Sequence, residues 1–334
     1  MKNVLFTTTA LVALAGAAAA EVGFSGAVTA GYNDEIEGGL FWEADLDLTG
    51  SVDLDDNVTA EVTVQIGDWF NDGGSDHNAI TAEIAYTGDT LSASLKFGDL
   101  GDKGASEYFY SDRSGMELDV ENHDGTEDVR ALLEFGNFGV AVGCGEVADG
   151  TCDDGMNIGA GATFGSIELG IGYDEDAGGQ TQVTAVSADT EFGAISVGVS
   201  YATSSTDPEG SIGVEVGFDV SDALGLGVYY AANDVGDDAY GASVDYTAGA
   251  LTAGVYFDHT PGGVDEFGVD VSYAVNDMLT ANAGYFDDGA GVFYVGMDYA
   301  VNDSITATVS YADADEISGP EYKDGISAFI TASF

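Results

Sequence analysis

From about Val22 to Phe334 the chain repeats stretches of roughly ten residues in which apolar positions alternate with small or polar ones, parted by clusters of Gly, Asp and Asn. A period of two sends successive side chains to opposite faces of a strand, and about ten residues is the length of a tilted strand that crosses a bilayer. The segment from Leu40 is the clearest. Leu40, Trp42, Ala44, Leu46 and Leu48 share one face, and Glu43, Asp45, Asp47, Thr49 and Ser51 share the other. The same division recurs: Val58, Ala60, Val62, Val64 and Ile66 oppose Thr59, Glu61, Thr63 and Gln65, and Ile305, Ala307, Val309 and Tyr311 oppose Thr306, Thr308 and Ser310. Apolar faces free of charge against acidic faces predict an all-β fold, a transmembrane antiparallel up-and-down barrel with lipid outside and a wet lumen inside.

The connections alternate in length. Tight turns are expected near Asp55-Asp56, Gly88-Asp89, Gly136-Asn137, Gly165, Gly193, Ser221-Asp222, Ala248-Gly249, Asn276-Asp277 and Asn302-Asp303, with longer acidic loops between them, as at residues 174–180, 204–210 and 312–324. Aromatic residues on the apolar faces fall into two bands. Tyr86, Phe135, Phe138, Phe164, Phe192, Phe218, Tyr246, Tyr273 and Tyr299 stand near the tight turns, and Trp42, Tyr173, Tyr201, Tyr230, Phe257, Phe267, Tyr285, Phe293 and Tyr311 near the long loops. Two such bands match the girdles at the two membrane interfaces, which a soluble sandwich has no reason to build. The turns allow about 16 to 20 strands, with 20 the best count. Tyr273-Ala274-Val275-Asn276-Asp277 and Tyr299-Ala300-Val301-Asn302-Asp303 nearly repeat, which reads as hairpin duplication.

The first twenty residues stand apart from this pattern. Met1-Lys2-Asn3, an apolar run and the small residues Ala17 to Ala20 read as a secretory signal peptide, leaving residues 21–334 as one barrel domain in a Gram-negative cell envelope. Charge changes the picture further, because 60 Asp+Glu against 6 Lys+Arg give a formal −54. Such a chain offers no basic patch to nucleic acid; it favours cations, although a saline habitat would select the same excess. The acids predicted to line the lumen are Glu43, Asp45, Asp47, Glu61, Glu83, Glu134, Glu168, Glu215, Asp245, Asp270 and Asp298.

One connection breaks the rhythm. Residues 98–128 separate the fifth strand from the sixth, a length that marks either a mobile surface loop or a functional segment folded inward to narrow the pore. Small lumen-facing positions leave room for the second reading: Gly139, Gly143, Gly159, Gly161, Gly170, Gly172, Gly198, Gly213, Gly217, Gly225, Gly227, Gly241 and Gly254.

Glu21-Val22 leading into Phe24-Ser25-Gly26, the exit Phe97-Gly98-Asp99, Gly104-Ala105-Ser106-Glu107 in the long loop and the terminal Phe334 together resemble the general diffusion porins of α-proteobacteria, of the Rhodobacter type. The resemblance implies a homotrimer of water-filled barrels with the third loop as constriction. It also implies a terminal strand whose outward face, Ile326, Ala328, Ile330, Ala332 and Phe334, is read by the barrel-assembly machinery. Members of that family usually have sixteen strands and set wall arginines against loop carboxylates; this chain parses into about twenty and has few cations. Lys96, Arg113 and Arg130 are the candidates for a residual basic wall, facing Asp99, Asp102, Glu107, Asp112, Glu117, Asp119, Glu121 and Asp124; alternatively Arg113 and Lys103 pair with neighbouring acids. Either arrangement predicts a cation-preferring channel for small hydrophilic solutes in the outer membrane.

Other chemistry is sparse. An even cysteine count in an oxidising compartment points to a Cys144–Cys152 disulfide across an outer loop. His77, His123 and His259 fall in predicted loops, far apart in sequence, as solvated residues. No nucleophile elbow, P-loop or dinucleotide fingerprint is present, so no enzyme activity or cofactor is expected. Acidic loops at 149–154, 174–176, 234–238 and 313–316 could bind Ca²⁺ weakly and bridge to lipopolysaccharide. They also carry the rival expectation, a secreted calcium-binding β-rich protein of structural or adhesive type.

Overall fold

The computed structural model describes residues 21–36, 38–66, 79–98, 100, 104–118, 120, 128–145, 147–148, 151–152, 155–175, 182–206, 210–233, 238–259, 263–314 and 322–334. Its strands are β1 (Glu21–Asn33), β2 (Leu40–Asp55), β3 (Val58–Ile66), β4 (Ile80–Thr87), β5 (Leu91–Gly98), β6 (Val129–Phe135), β7 (Phe138–Cys144), β8 (Val147–Ala148), β9 (Thr151–Cys152), β10 (Met156–Phe164) and β11 (Ile167–Glu175), then β12 (Gln182–Phe192), β13 (Ile195–Ser204), β14 (Ser211–Ser221), β15 (Leu224–Asn233), β16 (Ala239–Ala248), β17 (Leu251–His259), β18 (Glu266–Asn276), β19 (Leu279–Asp287), β20 (Val292–Asn302), β21 (Ile305–Ala312) and β22 (Gly325–Ser333). Twenty of them pair antiparallel with their sequence neighbours into one sheet, and β8 and β9 form a separate two-residue hairpin between β7 and β10. The sheet closes on itself where β1 pairs with β22, from Ala27 opposite Ser333 to Asn33 opposite Ser327. Closure leaves no edge strand, the condition for backbone to cross hydrocarbon with every ladder bond made.

Which side each residue takes follows from the alternation. Phe135, Phe138, Phe164 and Phe192, at 52–64% exposed, form the girdle beside the tight turns, while Trp42, Tyr201, Tyr230, Tyr285 and Tyr311 form the other. At the terminal strand Ile326, Ile330 and Phe334 point outward, and Ser327 is fully buried on the inner face. Two turn chemistries close the short side. Gly136, Gly165, Gly193 and Gly249 take φ between 57° and 66°, the left-handed geometry a tight hairpin requires. At three others a side chain caps the turn: Asp55 accepts from the Asn57 and Val58 amides, Asn276 from Met278 and Leu279, and Asn302 from Ser304. Beside these capped turns the register slips, between Asp53 and Asp55, Ala274 and Asn276, and Ala300 and Asn302.

The interior is asymmetric. Two neighbouring inward rows contain almost nothing larger than serine: Ala141, Gly159, Gly172, Ala185, Ala202 and Ser211 face one another in one, and Gly139, Gly161, Gly170, Ser187, Ser200 and Gly213 in the other. This shelf runs across β7 and β10–β14, and the long loop lies on it.

Candidate functional site

The loop leaves β5 through Gly98, whose φ of +111° is closed to other residues and whose missing side chain clears the Ile80 carbonyl, 1.9 Å from where a Cβ would stand. The Gly98 amide donates to the Asp128 carbonyl (2.9 Å), so the base of the loop is closed. Inside, its backbone sits directly on the shelf. A Cβ on Gly159 would stand 2.1 Å from the Ala105 carbonyl oxygen, and one on Gly170 would stand 2.0 Å from that of Phe109. Tyr110 and Val120 pack with Val183, Ala185 and Ala202 in a small apolar core. The wall also supplies the polar partners that buried loop backbone needs. The Ala105 amide donates to Asn157 Oδ1 (3.1 Å), Ser111 to Ser187 Oγ (3.1 Å), and Ser114, by both amide and hydroxyl, to Glu215 Oε1 (2.8 Å). The Glu117 amide donates to Asn233 Oδ1 (3.1 Å), while Asn233 Nδ2 donates to the Gly115 carbonyl (3.0 Å). The mobile-surface-loop alternative is thus excluded for residues 104–118.

At the loop's edge a charged row crosses the wall. Register places Glu168, Asp189, Gly198, Glu215, Tyr229, Gly241 and Asp258 side by side on β11 to β17. Gly198 stands between two carboxylates, and the Arg113 guanidinium occupies the space its side chain would fill. Arg113, only 7% exposed, donates through Nη2 to Asp189 and through Nη1 to the Asp112 carbonyl (2.9 Å); Nη1 also lies 4.0 Å from Glu215 Oε2. Its charged partners are therefore wall acids and not carboxylates of its own loop, from which it takes only the Asp112 carbonyl. In front of the row lies a cavity of about 660 Å³, lined by Ser114 of the loop and by Glu168, Asp189, Glu191, Glu215, Tyr229, Tyr256 and Asp258 of the wall. On the loop itself Asp112 and Glu117 are exposed and Glu107 is half-buried.

This closed barrel with an infolded third connection is matched by a family model described as Gram-negative porin, over residues 7–319. The chain belongs to the Gram-negative porin family. A porin of Rhodobacter capsulatus is 34% identical over 182 residues, a stretch that spans 49% of this chain and 57% of that protein. Among solved structures, two engineered variants of Rhodopseudomonas blastica porin align over 94% of this chain and 100% of theirs, with 14% identity and TM-scores of 0.46 and 0.47.

The remaining candidates divide into groups. Glu61, Glu83, Lys96 and Arg130 stand side by side on β3 to β6, with Lys96 Nζ 3.8 Å from Glu83. Arg130 is 3% exposed beneath the Tyr108 ring (5.5 Å), so it supports the loop from below and does not form an open basic wall. All eleven proposed lumen acids, from Glu43, Asp45 and Asp47 to Asp298, occupy inward positions; Glu134 accepts from Ser92 Oγ (2.9 Å), and Asp245 and Asp270 share a row two strands apart. Asp99, Asp102, Asp119, Glu121 and Asp124 lie outside the described residues, as do Lys103, His77 and His123. Cys144 and Cys152 form a disulfide that spans the β8–β9 hairpin. His259 is a correction in place only: it ends β17 and does not lie in a loop, and while partly exposed it pairs with Asp265 and stacks on Tyr240 (4.7 Å). Among the described residues no three metal-type ligands converge, and the acidic loops proposed for Ca²⁺ lie largely outside them.

Sequence reading missed Asp189 and Asp258, whose strands' alternation does place them inward, and Asn157 and Asn233, the loop's side-chain anchors. It also missed Tyr322 at the end of the last outer loop. Burial, then the Asp298 carboxylate, push its hydroxyl up to about 12 against the opposing effect of the Asn282 amide, so it stays a donor at neutral pH.

Proposed function

We propose that the chain is an outer-membrane porin, a water-filled and cation-preferring channel through which small hydrophilic solutes diffuse passively. The observation that carries this reading is the distribution of charge at the narrowed section. Five wall carboxylates line the cavity, loop acids are exposed opposite, and Arg113, the one cation there among the described residues, is tucked between Asp189 and Glu215. A fixed negative field in a wet passage raises the local concentration of cations and repels anions, with no conformational cycle. The four described cations, Lys96, Arg113, Arg130 and Lys323, are each engaged by an acid or a ring inside the barrel, so none sets up an opposing open basic surface. Export behind the leader at 1–20, trimerisation, and contact of the acidic outer rim with lipopolysaccharide through divalent cations belong to the same reading. Single-channel recording in planar bilayers under a KCl gradient tests it. A reversal potential of the sign set by K⁺ is expected; one set by Cl⁻ contradicts the selectivity, and no conductance contradicts the channel.

A further inference from the structure

The third loop narrows the lumen from the β7–β16 side, and on the opposite wall residues 322–324, just before β22, are set against the inner face. Tyr322, at the end of the connection from β21 to β22, is 3% exposed, and its ring covers Gly296, where a Cβ would lie 2.4 Å from Tyr322 Cζ. The ring meets Tyr294 edge-on at 5.7 Å, and its hydroxyl donates to Asp298 Oδ2 (3.2 Å) while accepting from Asn282 Nδ2 (3.0 Å). Lys323 turns the other way around the barrel, with Nζ 2.6 Å from Glu43 Oε1 and 5.2 Å above the Phe41 ring. Behind it the Asp324 carbonyl accepts from Asn33 Nδ2 (2.6 Å). Two consecutive side chains therefore grip β19–β20 on one side and β2 on the other, across the inward row in which Asp298, Thr308, Phe329, Gly31 and Phe41 stand side by side. A glycine opened beneath a ring repeats a contact made under the third loop, where the Phe109 ring covers Gly139 and Gly161.

We propose that residues 322–324 form a second constriction element, with Tyr322 as its positioning anchor and Lys323 as a residue that sets conductance and selectivity at the pore edge. The proposal rests on the channel reading. Lys323 keeps 34% of its side chain exposed although both neighbours are fixed, so its charge faces the passage. With Glu43 it forms a neutral pair on a wall otherwise rich in acid. Removing the lysine frees one carboxylate and strengthens cation preference, whereas removing Glu43 weakens it.

Cysteine accessibility tests this in the intact barrel, because both native cysteines are held in a disulfide. Lys323→Cys, reconstituted in planar bilayers, is treated with a bulky cationic methanethiosulfonate while single channels are recorded, and labelling is measured by mass. Stoichiometric labelling with a conductance drop of roughly 1.3-fold or more is expected, and the same reagent on Tyr322→Ala/Lys323→Cys should produce a smaller drop because the anchor is gone. Lys323→Gln should shift the reversal potential toward K⁺ and Glu43→Gln away from it, a pair of opposite shifts that a merely structural role would not produce. Full labelling without a conductance change, or no labelling at all, overturns the proposal. No conductance before labelling would overturn the channel reading instead.

Discussion

Neutralising the two carboxylates that flank Gly198 should cost the channel about half of its local preference for cations. Asp189→Asn with Glu215→Gln keeps side-chain size and leaves an amide oxygen to accept from Arg113 and Ser114. A sphere of the cavity's 660 Å³ has a radius of about 5.4 Å, and an oxygen radius beyond that puts each wall charge about 7 Å from a passing ion. At that distance a unit charge in water is worth about 0.6 kcal/mol, and screening at about 0.1 M salt halves it. Removing two charges therefore costs a cation ~0.6 kcal/mol and relieves an anion of as much, so the K⁺/Cl⁻ permeability ratio should fall by about 1.2 kcal/mol, roughly eightfold. Reversal potentials in a KCl gradient measure this directly. The control is Asp222→Asn with Asp277→Asn, which removes the same net charge from tight turns outside the lumen. A fall of less than about twofold, or an equal fall in the control, would refute a local field at this row and leave total protein charge as the cause.

Three further outcomes follow from the same geometry. Gly170→Val places a Cβ about where the Phe109 carbonyl comes within 2.0 Å; overpacking of ~1–3 kcal/mol should unseat the loop and raise single-channel conductance while heat-modifiable gel mobility shows the barrel intact. Ile171→Arg, at the centre of the lipid-facing side of β11 and 52% exposed there, should destabilise the barrel by about 2–4 kcal/mol in urea titrations of vesicle-folded protein. Cys144→Ser should leave barrel mobility on gels unchanged, since the disulfide ties an outer hairpin to the end of β7, and should expose one titratable thiol at Cys152.

How much of this was legible in the chain depends on the range of the information. The faces of each strand were, because alternation is local: Leu40 to Leu48 against Glu43 to Asp47 needs no partner to be read. Turns and girdles are equally local, and they yielded twenty strands against the sixteen suggested by resemblance. The loop's inward course was legible only as a surplus of lumen-facing glycine, since a small wall residue implies space without naming its occupant. Asp189 and Arg113 lie 76 positions apart and meet because β12, β13 and β14 register around Gly198. The Tyr322–Asp298 contact likewise depends on where an irregular loop end falls on a closed wall, which no period encodes.

The width of the barrel explains why the small inward residues fall where they do. Diameter grows roughly in proportion to strand number, so twenty strands enclose more space than side chains projecting from the wall can fill. Two solutions appear on different arcs. Under the third loop the wall is reduced to Gly, Ala and Ser so that backbone can lie against backbone, as Phe109 does on Gly170. Beyond the loop the glycines remain, and three of them accept a ring from the adjacent strand: Tyr229 covers Gly241, Tyr256 covers Gly268 and Tyr294 covers Gly284. Flat rings on glycine thicken the wall without projecting far into the passage, and they leave the carboxylates beside them, Asp258 and Asp270 among them, on the inner surface. Replacing a wall glycine therefore disturbs different things on the two arcs: the seat of a loop on one, and on the other a tyrosine that must swing into the water-filled space.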